Sequence, residues 1–392
     1  MAWGEIDVEL EREKFVIACL EGKLSIAELC RLYNISPKNG YKWINRYKVE
    51  GFKGLANRSR APYKQALKTK DEIIQRILEV RFQYPTWGPK KVLAFLKNQD
   101  PYISWPSTTT IGNLFNANGL TIPRKIRRRV AGRTMPLSHC RSSNDVWCAD
   151  FKGWFLTGNG NKCEPFTLTD SSSRYLIRCL KLDSNNVEHV WAVLDSAFRE
   201  YGLPLYFRTD NGSPFASCGA GRLSKLSINL IKAGIIPEWI DPGKPEQNGR
   251  HERMHQTLKK ETATPPQFTL EEQSMKFDEF RNYYNFIRPH EAIDQKTPGS
   301  IYQRSSRIWN GKLESPQYSK EFIVRKVRPS GQISLRTLAP SIFIGMSLVG
   351  EQVGLKLVEE QVYDVYYGPI FLGKIDKNKK IILPTSSKRK RI

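Results

Sequence analysis

The sequence predicts a multidomain chain with all-α modules at the N-terminus, an α/β core in the middle and a small all-β domain at the C-terminus. Three shifts in apolar patterning predict this. Spacing is helical from residue 7 to 118, and near residue 143 it changes to short apolar runs alternating with helical ones. From 318 to 384 it becomes Val-, Ile-, Phe- and Tyr-rich runs punctuated by Gly, Pro, Asn and Lys. The boundaries expected from these shifts are 1–60, 61–138, 139–310 and 311–392. A length of 392 residues suits several domains, and 40% hydrophobic residues with nine Trp and 18 Phe exclude a disordered chain.

The net charge of +23 is unevenly spread. Residues 1–138 hold 25 Lys+Arg against 12 Asp+Glu, residues 139–310 hold 22 against 20, and residues 311–392 hold 15 against 7. Strongly basic ends around a near-neutral centre point to flanking modules that grip a polyanion, DNA foremost, and a centre that does chemistry. Seven cysteines with no C-x-x-C pair argue against a disulfide framework or a Cys-based zinc site, and for a reduced, intracellular chain. Met1-Ala2-Trp3-Gly4-Glu5 does not open a signal peptide, and no apolar stretch approaches the roughly 20 residues of a membrane span. A cytoplasmic location without a membrane partner is therefore expected. The run Lys388-Arg389-Lys390-Arg391 reads as a solvated tail or a phosphate contact.

The first helix is suggested by Val8, Leu10, Phe15, Ile17, Ala18 and Leu20, and Gly22 ends it. Ser25 can cap a second helix, with Glu28 completing a capping box. After a turn at Asn34-Ile35, Ser36 caps a third helix with Pro37 at its first position. Tyr41, Ile44 and Tyr47 are expected inward, leaving Lys38, Lys42 and Arg46 outward as candidate DNA contacts. Two short helices, a tight turn and a third helix with a basic face resemble a helix-turn-helix. Residues 51–70 read as a linker. Helices expected over 70–83, 89–97 and 107–118 make a second such module, and the connector Arg124-Lys125-Ile126-Arg127-Arg128-Arg129 offers Arg124, Arg127 and Arg128 to phosphates.

In the centre, strands are expected at 146–151, 164–170, 175–181, 205–209 and 235–240, with helices at 186–201, 223–233, 247–261 and 270–284. This order predicts an α/β layer with early hairpin strands and later parallel additions. The C-terminal runs suggest a small barrel.

Three acidic residues occupy distinctive positions here. Asp150 ends Val146-Trp147-Cys148-Ala149, Asp210 ends Leu205-Tyr206-Phe207-Arg208-Thr209, and Glu252 opens a helical pattern after Gln247-Asn248-Gly249. Carboxylates at the ends of buried strands are costly unless a cation neutralises them, and all-oxygen clusters suit Mg²⁺ or Mn²⁺. Two such ions about 4 Å apart serve phosphoryl transfer. His251-Glu252-Arg253-Met254-His255 also matches the H-E-x-x-H pattern of zinc proteases, but that reading gives no account of Asp150 or Asp210.

Five pieces in order resemble the DDE transposases of the retroviral-integrase superfamily, especially bacterial insertion-sequence transposases with helix-turn-helix modules. They are Trp147 to Phe151, Thr169 to Tyr175, Arg208-Thr209-Asp210-Asn211-Gly212, Pro245 to Leu258, and Tyr284 to His290 with Lys296-Thr297-Pro298. The resemblance implies an RNase H-like core in which Asp150, Asp210 and Glu252 hold two divalent ions, Mg²⁺ with Mn²⁺ as a substitute. It implies that water attacks at a transposon end to free a 3′-hydroxyl, which then attacks target DNA. The implied partners are DNA ends and target, with a homodimer or higher multimer assembled on DNA at the nucleoid. One departure concerns the third carboxylate. The family commonly places about 35 residues between the second Asp and the Glu; here 35 residues separate Asp210 from Glu246, and 41 separate it from Glu252. The Gln247-Asn248-Gly249 context selects Glu252, with extra residues near 216–225. Asp170 reads as a structural turn residue, while Asn285, Arg288 and His290 either touch DNA or buttress the site. Competing readings are a DNA-binding regulator without catalysis and a nuclease without strand transfer.

Overall fold

The computed structural model describes residues 8–58, 69–121, 140–241, 245–335, 341–359, 362–376 and 379–382. The chain divides into two compact units, Met1–Thr69 and Lys70–Ile392. Arg124, Arg127, Arg128 and the basic tail lie outside the described residues.

The first unit contains α1 (Val8–Glu21), α2 (Ile26–Leu32) and α3 (Pro37–Glu50), followed by a 3₁₀ turn over Gly51–Leu55. Both ends of the capping box form: the Ser25 backbone N–H donates to Glu28 at 2.8 Å, and Ser25 Oγ accepts from the Glu28 N–H. The core is Phe15, Val16, Leu29, Cys30 and Leu55. The inward face of α3 keeps Ile44 and Tyr47 as expected, but Tyr41 is 53% exposed, and Gly40 and Trp43 complete the face in its place. Gly40 is the reason. Without a side chain it lets α3 approach closely, since a Cβ there would sit 2.5 Å from Cys30 Sγ and 3.1 Å from Phe15 Cζ. On α1, Phe15 and Val16 are buried, whereas Val8, Leu10, Ile17 and Leu20 are exposed. Gly40→Val is expected to cost about 1–3 kcal/mol by overpacking, read as a lower melting transition of this unit with the second unit unchanged.

The second unit opens with α4 (Asp71–Gln83), α5 (Pro89–Gln99) and α6 (Thr108–Ala117) around Ile77, Val80, Trp87, Val92, Leu96, Ile111 and Phe115. Trp87 closes this small core and also leaves it, donating its indole N–H to Tyr283 Oη at 2.5 Å.

The central sheet joins β1 (Val146–Phe151), β4 (Pro165–Asp170), β5 (Leu176–Lys181), β6 (Tyr206–Thr209) and β7 (Ile236–Trp239) in the order β5-β4-β1-β6-β7. The β1–β4 and β4–β5 pairs are antiparallel, and β1–β6 and β6–β7 are parallel, as the alternating pattern predicts. A short hairpin, β2 (Phe155–Leu156) with β3 (Lys162–Cys163), was not legible. One sheet face packs Trp147, Phe166, Leu168, Ile177 and Phe207 against α7 (Val187–Tyr201) and α8 (Lys225–Lys232). The other contributes Leu176 and Cys179 to a cluster with α9 (Gly249–Thr262) and α10 (Leu270–Asn282).

At the C-terminus, β8 (Phe322–Lys326), β11 (Gln352–Glu359), β12 (Val362–Tyr367), β13 (Ile370–Asp376) and β14 (Lys379–Ile382) form an antiparallel sheet. A second pair is β9 (Gln332–Ile333) with β10 (Ile342–Phe343). The five-stranded sheet is open among the described residues, not the closed barrel expected. Its apolar face is covered from outside: Val353, Leu355, Val365 and Leu372 share a core with Ala220, Leu223, Ile228 and Ile231 of the central domain. Residues 216–223, where the sequence suggests extra length, are therefore the docking loop, closed by an Ala216–Leu223 bridge.

Candidate active site

Sheet geometry brings the two aspartates together. Cys148 of β1 lies opposite Arg208 of the parallel β6. Two residues further along each strand come Asp150 and Asp210, at the same edge and on the same face by strand alternation. The turn after β6 explains the Asp-Asn-Gly sequence. Asn211 donates to the Ile240 carbonyl at 2.8 Å, tying the loop to the end of β7, and accepts from Arg222 at 2.9 Å. The Gly212 N–H donates to Asp210 Oδ1 at 3.0 Å, and a Cβ at this position would lie 3.2 Å from Asp210 Oδ2.

Glu252 lies in the first turn of α9, whose buried face is His251, Met254, His255, Leu258 and Thr262. That face rests on β4, and Glu252 emerges beside it, exposed. Burial, with repulsion from Asp210 and also from Glu252, pushes the Asp150 carboxyl up to about 7. Asp210 and Glu252 are thus both close enough to act on Asp150. Glu246 falls in a separate 3₁₀ turn, Pro245–Asn248, ahead of α9, and its side chain lies outside the described residues.

The histidines carry a structural role that the sequence reading missed. The Thr167 hydroxyl donates to the Asp150 carbonyl at 3.1 Å and accepts from Nε2 of both His251 and His255 at 2.7 Å. His251 Nδ1 in turn accepts from Thr169 Oγ1 at 3.0 Å. Both rings therefore face threonines of the sheet, not phosphate. Ligand atoms of Asp150, His251 and His255 lie within 4.8 Å of one another, which makes a metal group conceivable on distance alone. The hydrogen bonds exclude the two-histidine arrangement of a zinc protease, because both His251 nitrogens are committed. His255 keeps Nδ1, 3.9 Å from Asp150 Oδ2. This contact is not an ion pair: burial holds His255 neutral, down to about 2, with His251 adding to the effect. Asn248 adds a donor to Asp150 Oδ2 at 3.3 Å. The signal for this packing was the i, i+4 spacing of the histidines, read as a motif when it marked a buried face.

Other singled-out residues separate cleanly. Asp170 is fully buried and accepts from Asn144 N (2.7 Å), Ser173 N (2.8 Å) and Ser173 Oγ (2.6 Å), a turn anchor as expected. Asn285 is also structural, pairing with both the N–H and the carbonyl of Leu176 at 2.8 and 2.9 Å. Arg288 is buried, donating to Tyr283 Oη at 2.9 Å and lying 3.6 Å from Glu261. His290 Nε2 meets the Tyr284 carbonyl at 3.2 Å. In the first unit, Lys38 and Lys42 are exposed. Arg46 is turned inward, donating to the Ala56 carbonyl at 3.0 Å with its guanidinium 4.9 Å from the Trp43 ring.

Two buried histidines, His251 and His255, and the partly buried His290 give a pH dependence. Burial lowers His251 and His290 to about 3 and His255 to about 2, from 6.5. Their contribution is fully present above pH 6.5 and is lost as pH falls through the window down to the folded values. Each costs about 1.4 kcal/mol per pH unit there. Asp150, raised from 3.8 to about 7, has the opposite sign and cancels roughly one of the three over most of that window. A melting series from pH 7.5 to 4.5 without divalent ions should show a steep fall beginning below pH 6.5; a flat profile would contradict neutral burial.

A helix-turn-helix domain model matches residues 11–63 and a homeodomain-like domain model residues 39–115. Two integrase core domain models match residues 141–245 and 233–298. The insertion element IS407 uncharacterized 31.7 kDa protein of Burkholderia multivorans is 24% identical over 228 residues, 58% of this chain and 79% of the relative. Among solved structures, the HTLV-2 integrase catalytic core domain in complex with magnesium is 18% identical, covering 41% of this chain and 98% of its own, with a TM-score of 0.32. The simian T-cell lymphotropic virus intasome, in complex with PP2A regulatory subunit B56 gamma, is 14% identical over 79% of this chain and 100% of its own, at 0.36. Scores of this size carry no argument about mechanism. Helix-turn-helix and integrase core matches in this order, with an insertion-element relative, support an insertion-element DDE transposase of the integrase superfamily.

Proposed function

We propose that this transposase cleaves DNA at the ends of its element and joins the freed 3′-hydroxyl to a target, using Asp150, Asp210 and Glu252. The observation that carries this is the parallel pairing of β1 and β6, which sets Asp150 and Asp210 side by side at the strand ends, with Glu252 close enough to help raise the Asp150 carboxyl. The donor set fits one: carboxylate oxygens suit Mg²⁺, with Mn²⁺ as a substitute, and two ions can be shared among three carboxylates. Bound divalent ions supply the positive charge that activates an attacking oxygen and stabilises the leaving one. The protein's part is to hold those carboxylates rigid. Asp150 and Asp210 are fixed by β1 and β6, and Glu252 is placed by an α9 that the two histidines lock onto Thr167. No side chain need act as nucleophile.

The helical modules, with Lys38, Lys42 and Arg46 in the first and Arg124, Arg127 and Arg128 after the second, are assigned to DNA ends. Of the three in the first module, Lys38 is the best placed, because Arg46 is partly spent on Ala56 and Trp43 and the Lys42 amine also lies 4.7 Å from the Trp43 ring. Joining two ends of one element calls for at least two copies on DNA. Among the described residues no helix is long and apolar enough to cross a membrane. The test is incubation of the full chain with supercoiled plasmid carrying the element's ends, with Mn²⁺ or with EDTA. Nicked and joined products that need Mn²⁺ support the proposal. Nicking without joining would favour a nuclease, and binding with neither product would favour a regulator.

A further inference from the structure

A cavity of about 490 Å³ lies where α5, α9 and the segment after α10 meet. Its wall carries five cationic side chains, Lys91, Arg174, Arg250, Arg253 and Arg288, against one carboxylate, Glu291. That carboxylate is already taken on the rim by Lys90, at 2.5 Å. Some of the positive charge is tied down: Lys91 Nζ donates to the Pro289 carbonyl, Arg250 to the Ser171 carbonyl at 3.0 Å, and Arg288 to Tyr283 Oη at 2.9 Å. These partners are neutral and orient the cations without cancelling them, although Arg288 also lies 3.6 Å from the Glu261 carboxylate, which offsets part of its charge. Arg174 Nε is buried without a hydrogen-bond partner. Burial foremost, with Arg288 and Arg253 adding to it and Glu291 opposing it, pushes the Lys91 amine down to about 7. Like charges gathered in a partly enclosed space cost stability unless an anion offsets them.

We infer that this cavity is a phosphate-binding site for a backbone phosphate of the DNA strand presented to the carboxylates. Two observations select a DNA phosphate. The site is shared by α5 of the second helical module, through Lys91, and by the integrase core, so one bound phosphate touches both. Arg250 and Arg253 also flank Glu252 in sequence on α9, tying the cavity to the helix that carries the third carboxylate. Arg288, with its fixed planar fork, and Arg253, exposed at the mouth, suit bidentate phosphate contacts. This assignment rests on the strand-cleaving function proposed above.

The test uses the full chain without divalent ions, comparing wild type, Lys91→Gln/Arg253→Gln and Arg253→Gln alone, the last at an exposed position with little risk to folding. Melting is measured with and without inorganic pyrophosphate at fixed ionic strength, and binding to a labelled DNA duplex is measured across salt concentrations. The expected result is a pyrophosphate-induced rise in wild-type Tm that is absent in the double variant and reduced in the single one. The slope of log Kd against log salt should fall by about two in the double variant and about one in the single. Without anion, the double variant should melt no lower than wild type, because it loses repulsion. Equal pyrophosphate responses in all three proteins would overturn the site. A lost response with an unchanged salt slope would overturn the DNA assignment, leaving a site for small phosphates. Glu252→Gln should keep the full pyrophosphate response, so loss of nicking in that variant alone bears on the carboxylates and not on the cavity.

Discussion

Asp150→Asn is expected to abolish strand cleavage and, in the absence of divalent ions, to raise the melting temperature. The two effects have one cause. In the folded protein Asp150 is 20% exposed and held at about 7 by burial and two neighbouring carboxylates, against 3.8 for an ordinary aspartate. The contribution of a raised carboxyl to folding is fully present below its unfolded value of 3.8 and is lost as pH rises through 7. At pH 8 the ionised group therefore destabilises the metal-free fold, with about 4 kcal/mol as an upper bound and about 1–3 kcal/mol expected once partial solvation is allowed for. Asparagine keeps the shape and removes the charge. Its advantage should shrink toward pH 4, where Asp150 is protonated in the folded state and close to half-protonated in the unfolded chain. Cleavage should fall on the order of 10³-fold or more, since several kcal/mol of charge stabilisation depend on the ion this group would hold. Calorimetry at pH 8 and pH 4.5 with plasmid nicking would check both halves; a less stable Asn variant at pH 8 would mean that Asp150 is a structural residue.

Glu252→Gln should lose cleavage by a similar factor, and Glu246→Gln should stay within about threefold of wild type, as a substitution outside the centre does. The reasoning is positional. Glu252 is on α9, whose register against β4 is set by the Thr167, His251 and His255 hydrogen bonds, and its charge is felt at Asp150. Glu246 belongs to the 3₁₀ turn before that helix. The docking loop at 216–223 accounts physically for the longer interval after Asp210: it is occupied in covering the C-terminal sheet. Nicking time courses with both variants in Mn²⁺ would check this. Loss in Glu246→Gln with retention in Glu252→Gln would reverse the assignment.

Much of the architecture was legible because its signals are local. Ser25 and Glu28 announce their capping box, and apolar runs ending at Asp150 and Asp210 announce buried strands. What failed to show depends on contacts between distant segments. Tyr41 fits an inward helical face by spacing, yet the close approach at Gly40 centres that face on Gly40, Trp43, Ile44 and Tyr47 and leaves Tyr41 exposed. A closed barrel was the natural reading of the C-terminal strands, but a loop more than a hundred residues earlier supplies their cover. The histidines of α9 match a zinc-protease pattern that the two aspartates already argue against. Only the position of Thr167 opposite Asp150 shows them to be packing that aims the helix. The basic cavity was invisible for the same reason, since Lys91, Arg174, Arg253 and Arg288 meet only once the second helical module docks on the core.

The most direct test of a shared carboxylate centre is a Mn²⁺ titration followed by electron paramagnetic resonance at pH 7.5, with wild type, Asp150→Asn, Asp210→Asn and Glu252→Gln. Each substitution is expected to weaken Mn²⁺ binding about tenfold or more, as loss of one charged ligand from a common site requires. Unchanged binding in all three variants would contradict the account, because carboxylates that converge on a cation cannot each be dispensable to holding it.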